Sequence, residues 1–119
     1  PHFRREMFET SPEIVKKHFL VLRRLAEKIG PDLKVFLGCE FHANVEMLEY
    51  LHADRVYSMA GSRYVLTEFS ASTEEKYIRD RIYELLSSGY KPIVAHIERY
   101  KCMKDIEIRE PICRSTQTV

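Results

Sequence analysis

The sequence predicts an α/β fold of parallel βα units, and three observations carry that prediction. Helix-period stretches alternate with short apolar strand-like stretches from Ser11 to Ala95. The strand-like stretches are largely apolar runs, the pattern of a strand covered on both faces in a parallel sheet. Glu40, Glu68 and His96 then fall at an even interval of 28 residues, about one βα unit, each where a predicted strand ends.

The first helix starts at Thr10-Ser11-Pro12-Glu13. Ser11 suits the N-cap, Pro12 the first helical position and Glu13 the positive helix end. Ile14, His18, Leu22, Leu25 and Ile29 recur at three- and four-residue spacing, so this stripe, His18 included, is expected to face a core. Gly30-Pro31 ends the helix. A strand is predicted over 33–39, with Glu40 arriving as it ends. Asn44 is placed as the cap of a short helix running to His52, a surface residue, with Val45, Leu48 and Leu51 as its apolar side. Residues 56–59 read as a short strand and Gly61-Ser62 as a turn. Residues 64–67 are a strand ending at Glu68. Ser72-Thr73-Glu74-Glu75 matches a capping box opening a helix that carries Ile78, Ile82, Leu85 and Leu86 and stops at Gly89. Residues 92–95 form the last strand, with Pro92 tolerated at its first position. Beyond Tyr100 there is helical potential over 103–108, then a polar, aperiodic stretch expected to fray.

Composition narrows the function classes. A net charge of +1 without a basic stripe argues against nucleic acid as the main partner. Three scattered cysteines with no Cys-x-x-Cys pair suit a cytosolic protein rather than a disulfide scaffold. No apolar run reaches membrane-spanning length. The chain opens on Pro1 rather than Met, and is read as a segment of a longer protein.

Nucleotide-binding glycine loops and a nucleophile elbow are absent. A cysteine-thiolate phosphatase needs an Arg six residues after its Cys, but Val45 follows Cys39 and Ile108 follows Cys102 at that spacing. What remains is Glu40, Glu68 and His96. In a parallel sheet the strand carboxyl ends share one rim, so these three can converge. Carboxylates with an imidazole suit Mn²⁺, Fe or Zn²⁺. The competing reading makes the two glutamates solvated loop carboxylates and His96 a strand-end residue. His2 and Arg4 fall on the same rim if His2 ends a strand, although a His so near the start is more often exposed and idle. Arg99 is a natural phosphate ligand through its planar fork, or a surface partner of Glu98. His42 faces the rim beside Glu40 in one reading and is an ordinary loop His in the other. The scattered aromatic residues suggest no stacking platform.

Pro-His-Phe-Arg at 1–4, Gly-Cys-Glu at 38–40, Tyr-Val-Leu-Thr-Glu-Phe at 64–69 and Gly-Tyr-Lys-Pro-Ile-Val-Ala-His-Ile-Glu-Arg at 89–99 carry a resemblance as a set. The chain resembles the bacterial tyrosine-protein phosphatases of capsule and exopolysaccharide loci, within the polymerase-and-histidinol-phosphatase (PHP) superfamily. The resemblance implies a partial distorted (β/α)7 TIM-like barrel with divalent metal ions, most often Mn, otherwise Fe, Co, Mg or Zn, at the strand carboxyl ends. It implies that Glu40 bridges metals, that Glu68 and His96 bind the second and His2 the third, and that Arg99 contacts the phosphate. It further implies a cytoplasmic enzyme acting on a phosphotyrosine protein, the tyrosine kinase of polysaccharide export.

The family's His-x-His and Asp-x-His ligand pairs would lie before Pro1 and beyond residue 119, and its usual Pro after the motif histidine is Ile97 here. The expectation is therefore that 1–100 is the central part of a phosphatase domain, that 101–119 is a poorly matched tail, and that this segment alone has impaired activity. The alternatives are a non-catalytic metal-binding or structural module, stabilised as a homo-oligomer through its open sheet edges, and a phosphoesterase acting on a small metabolite.

Overall fold

The computed structural model describes residues 1–118. Five strands, β1 (His2–Phe3), β2 (Glu40–His42), β3 (Tyr64–Glu68), β4 (Lys91–Val94) and β5 (Gln117–Thr118), form one sheet in sequence order. Every neighbouring pair is parallel. Helices α1 (Pro12–Ile29), α2 (Met47–His52), α3 (Glu75–Ser87) and α4 (Ile106–Ser115) lie in the connections. The predicted parallel α/β class is present. Among the described residues the sheet is open, with β1 and β5 as its edges.

One face of the sheet carries the core. Phe3, Phe41, Val65, Thr67 and Val94 alternate with half-buried or exposed neighbours and are themselves buried. Met47, Tyr50 and Leu51 of α2, Ile78, Ile82 and Leu85 of α3, and Ile112 of α4 close over this side. Aromatic edges interlock within it, with Phe3 and Phe41 ring centres 5.4 Å apart at 79°. The expectation of strands covered on both faces is corrected: Leu66, Glu68 and Ile93, on the other face, are only half-buried.

α1 forms where its local signals put it. Ser11 Oγ accepts the Ile14 N–H at 3.2 Å and the Gly30 N–H reaches the Ala26 carbonyl at 3.0 Å. Its apolar stripe, however, contributes nothing to the core: Leu22 and Leu25 are 54% and 50% exposed, His18 is exposed, and Ala26 is the buried residue of the helix. Periodicity specifies a face, not what covers it.

Further expectations shift. Residues 33–39, predicted as a strand, belong to none, and the ladder starts at Glu40, in register with His2 and Leu66. The Leu37 carbonyl accepts the Ala60 N–H at 2.7 Å, which ties it to a 3₁₀ turn rather than to a strand. That turn, Met59–Gly61, replaces part of the strand expected over 56–59. Asn44 Oδ1 accepts the Glu46 N–H at 2.8 Å in an Asx turn just before α2. Ser72 is not the cap of α3: it lies in a turn closed by the Thr73 N–H on the Ser70 carbonyl, and Glu74 takes the cap position without a side-chain bond. α3 does end at Gly89, whose φ of 82° suits a left-handed C-terminal turn.

The frayed tail is overturned. Asp105 caps α4 by accepting the Glu107 N–H at 2.9 Å, and β5 pairs with β4. α4 continues through Pro111, which the sequence reading treats as part of an aperiodic stretch. Burial of Ile112, worth about 1.5–3 kcal/mol, offsets the backbone bond that Pro111 forgoes.

Candidate metal centre

The sheet register builds the site. His2 on β1 stands opposite Glu40 on β2, and His42 on β2 stands opposite Glu68 on β3. Because side chains alternate along a strand, Glu40 and His42 share one face, and Glu68 shares it with Leu66. This is the face turned away from the core.

His96 reaches the same place by another route. β4 ends at Val94, and His96 adopts the left-handed conformation (φ 55°, ψ 38°) before the 3₁₀ turn Ile97–Arg99. For a residue with a Cβ this costs about 1–2 kcal/mol. Such strain collects where a side chain has to be aimed.

Glu40, Glu68 and His96 offer one ligand atom each, all within 4.8 Å of one another. Glu40 is the hub. Its Oε1 lies 3.2 Å from His96 Nε2 and its Oε2 lies 2.8 Å from His2 Nε2. Oε1 is buried and makes no hydrogen bond among the described residues, since the His96 contact is close but not aligned as one. A buried carboxylate oxygen without a donor or cation is costly. Two carboxylates and an imidazole around that orphaned oxygen are a donor set for a divalent cation, so the residues fit a metal.

Glu40 borders a cavity of about 600 Å³ between α1 and residues 35–39, lined also by His2, His18, Leu22, Phe36 and Leu66. Thus His18, expected in a core, instead lines an open cleft.

Residues 1–114 match the family described as capsular polysaccharide synthesis, CpsB/CapC. The chain belongs to the CpsB/CapC family. It is 35% identical over 108 residues to tyrosine-protein phosphatase CpsB of Streptococcus pneumoniae, covering 91% of this chain and 44% of that protein. Tyrosine-protein phosphatase YwqE of Bacillus subtilis is 28% identical over 110 residues, covering 92% of this chain and 41% of that protein. A solved structure reported under "Crystal structures of YwqE from Bacillus subtilis and CpsB from Streptococcus pneumoniae, unique metal-dependent tyrosine phosphatases" superposes with a TM-score of 0.83 at 22% identity, covering 99% of this chain and 49% of that one. The superposition shows a shared fold. This CpsB/CapC chain spans less than half the length of the curated relatives named here.

Glu40, Glu68 and His96, singled out by spacing, come together. His2 joins them only through Glu40 and lies outside the 4.8 Å cluster, with a side chain 63% exposed. Arg99 stands three residues beyond His96 at the end of the 3₁₀ turn, exposed, its Nε 3.6 Å from Glu98.

Of two further residues at the site, the sequence left His42 open between a rim residue and an ordinary loop His, and did not single out Tyr100. His42 is a strand residue whose Nδ1 lies 3.3 Å from Glu68 Oε1. The signal was the Glu-x-His spacing, which places both residues on one strand face once the ladder begins at Glu40. Tyr100 is buried; its hydroxyl donates to the Ala95 carbonyl and accepts the Phe69 N–H at 3.0 Å. It therefore pins together the neighbours of His96 and Glu68. Burial pushes its phenol up to about 12, and burial likewise pushes the Cys39 thiol beside Glu40 up to about 11.

Proposed function

We propose that this chain supplies part of the metal centre and phosphate-binding rim of a metal-dependent protein-tyrosine phosphatase of the PHP superfamily. The observation that carries the reading is the convergence of Glu40, Glu68 and His96 around a buried, unpartnered Glu40 oxygen. Glu40 is the shared ligand, with Oε1 toward His96 and Oε2 toward His2. Glu68 and His96 complete one ion's set from this chain, and His2 belongs to another. Divalent ions, Mn²⁺ first and Fe, Co, Mg or Zn as substitutes, supply Lewis acidity that acidifies water near neutral pH and offsets phosphate charge.

The chain's own residues do the orienting. Arg99 takes phosphoryl oxygens in its planar fork, because its pairing with Glu98 is exposed on both sides and weakly competitive. Arg99 ends the 3₁₀ turn that begins just after His96, and this closeness in sequence supports a phosphate-binding role. The substrate is a phosphotyrosine protein, the tyrosine kinase of polysaccharide export, met in the cytoplasm. The parallel sheet belongs to a distorted (β/α)7 barrel, with 1–100 its central part.

Mn²⁺ titration by calorimetry, with phosphate release from a phosphotyrosine peptide and from histidinol phosphate, tests this reading. Wild-type chain should bind Mn²⁺, Glu40→Gln should not, and any turnover should stop with EDTA and favour the peptide. Absence of Mn²⁺ binding by the wild type, or turnover indifferent to EDTA, overturns it. Preference for histidinol phosphate would reassign the enzyme to small metabolites.

A further inference from the structure

We propose that His42 is a positioning residue for Glu68, fixing that carboxylate through a hydrogen-bonded chain Ser70–His42–Glu68. The proposal rests on the metal-centre reading above and extends it to a residue outside the ligand set.

The register places His42 directly opposite Glu68, and the imidazole is half-buried. Nδ1 stands 3.3 Å from Glu68 Oε1, and Nε2 stands 3.5 Å from Ser70 Oγ. An ionised carboxylate only accepts hydrogen bonds, so Nδ1 carries the proton and Nε2 accepts from the Ser70 hydroxyl. The contact with His42 is the hydrogen bond made by the Glu68 side chain among the described residues. The backbone acts in the same direction, since the Ala43 N–H donates to the Glu68 carbonyl at 2.9 Å. Main chain and side chain of Glu68 are thus both held by consecutive residues of β2 and its exit.

His42 is not part of the cluster whose ligand atoms lie within 4.8 Å of one another. It engages Oε1 of Glu68, one of the two carboxylate oxygens. A His–carboxylate pair of this kind orients a ligand instead of coordinating. On its other side His42 lines a cavity of about 400 Å³ with Phe69, Ser70 and Tyr77. Deleting the ring would join that cavity to Glu68 and let water compete for the carboxylate.

Mn²⁺ affinity by calorimetry, the visible spectrum of the Co²⁺-loaded protein, and the thermal midpoint of the metal-free protein are measured on the full chain and its variants. His42→Ala should weaken Mn²⁺ binding by about 10–100-fold, the usual effect of removing such an outer partner, with the metal-free midpoint little changed. His42→Asn, whose amide N–H stands in for Nδ1–H, should recover most of the affinity and keep the wild-type Co²⁺ spectrum. Equal affinity in wild type and His42→Ala overturns this inference and leaves the metal centre standing. Equal losses in the Ala and Asn variants with a lowered metal-free midpoint also overturn it, reducing His42 to a structural residue. A Co²⁺ spectrum altered in His42→Asn would make His42 a direct ligand, again against the proposal. No Mn²⁺ binding by the wild type would remove the metal-centre reading itself.

Discussion

Replacing Tyr100 with Phe deletes one oxygen from the interior and nothing else. That oxygen bridges the Phe69 N–H, 3.0 Å away, and the Ala95 carbonyl, so the change leaves a buried donor and a buried acceptor facing a ring edge. The ring's own packing survives, including the edge contact with Phe69 at 5.8 Å. Each of the two groups left without a partner costs about 1–3 kcal/mol, so a total of about 2–6 kcal/mol is expected. At roughly 2.1 cal/mol/K of unfolding entropy per residue, that lowers the thermal midpoint by about 8–24 °C. Circular dichroism melts at pH 7 read this directly. The pH dependence supplies a second arm. The phenol is pushed from 10.0 up to about 12 in the fold by burial. Below the unfolded value both states keep the proton and the hydroxyl's contribution is complete. As pH rises from about 10 toward about 12 the unfolded chain ionises first, so stability falls, by roughly 2–3 kcal/mol. The gap between wild type and Tyr100→Phe should therefore narrow over that window. A midpoint shift under about 2 °C at pH 7, or a gap constant from pH 9 to 12, would refute the assignment of the hydroxyl as a clamp between the two ligand-bearing strand ends.

Other perturbations follow from burial. The Cys39 thiol, 5% exposed and pushed up to about 11, should resist alkylation at pH 8 until denaturant is added, while the half-buried Cys102 and Cys113 react first; mass spectrometry of the labelled chain shows the order. Arg81 is buried with Nε and Nη1 unpartnered among the described residues, Nη2 2.7 Å from Glu84 and its guanidinium over the Tyr77 ring. Arg81→Met should leave the urea midpoint unchanged or raise it, by up to about 1–2 kcal/mol of stability; a clear fall would mean the cation–π contact outweighs desolvation. Leu22→Lys on the exposed stripe of α1 should change stability by less than about 0.5 kcal/mol, whereas Ile78→Ala, at a fully buried site, should cost about 2–5 kcal/mol in the same urea titration.

Much of the fold was legible because it depends on local chemistry. Ser11-Pro12-Glu13 and Gly30 bound α1, Gly89 ends α3, and apolar runs mark β3 and β4, all within a few residues of sequence. The misreadings have one cause. Residues 33–39 are as apolar as a strand, yet a ladder needs partners, and those partners pair with 40–42. Ser72 had the spacing of a cap but was taken by a tighter turn. Pro111 looks like a break until Ile112 is seen to be buried.

At the site the same division holds. Glu40, Glu68 and His96 recur at one βα length, so spacing singled them out as able to converge, although in the fold Glu40 opens β2, Glu68 ends β3 and His96 lies just beyond β4. The roles of their neighbours could not be read from spacing. His42 becomes the partner of Glu68 only once the ladder starts at Glu40, and Tyr100 becomes a clamp only once β3 and β4 lie side by side. The left-handed turn that aims His96 could not be read locally, since His adopts that conformation more often than most residues with a Cβ but still uncommonly. Residue types and periods select the donors, while register, burial and backbone strain, which arise between distant segments, decide where those donors point and what holds them there.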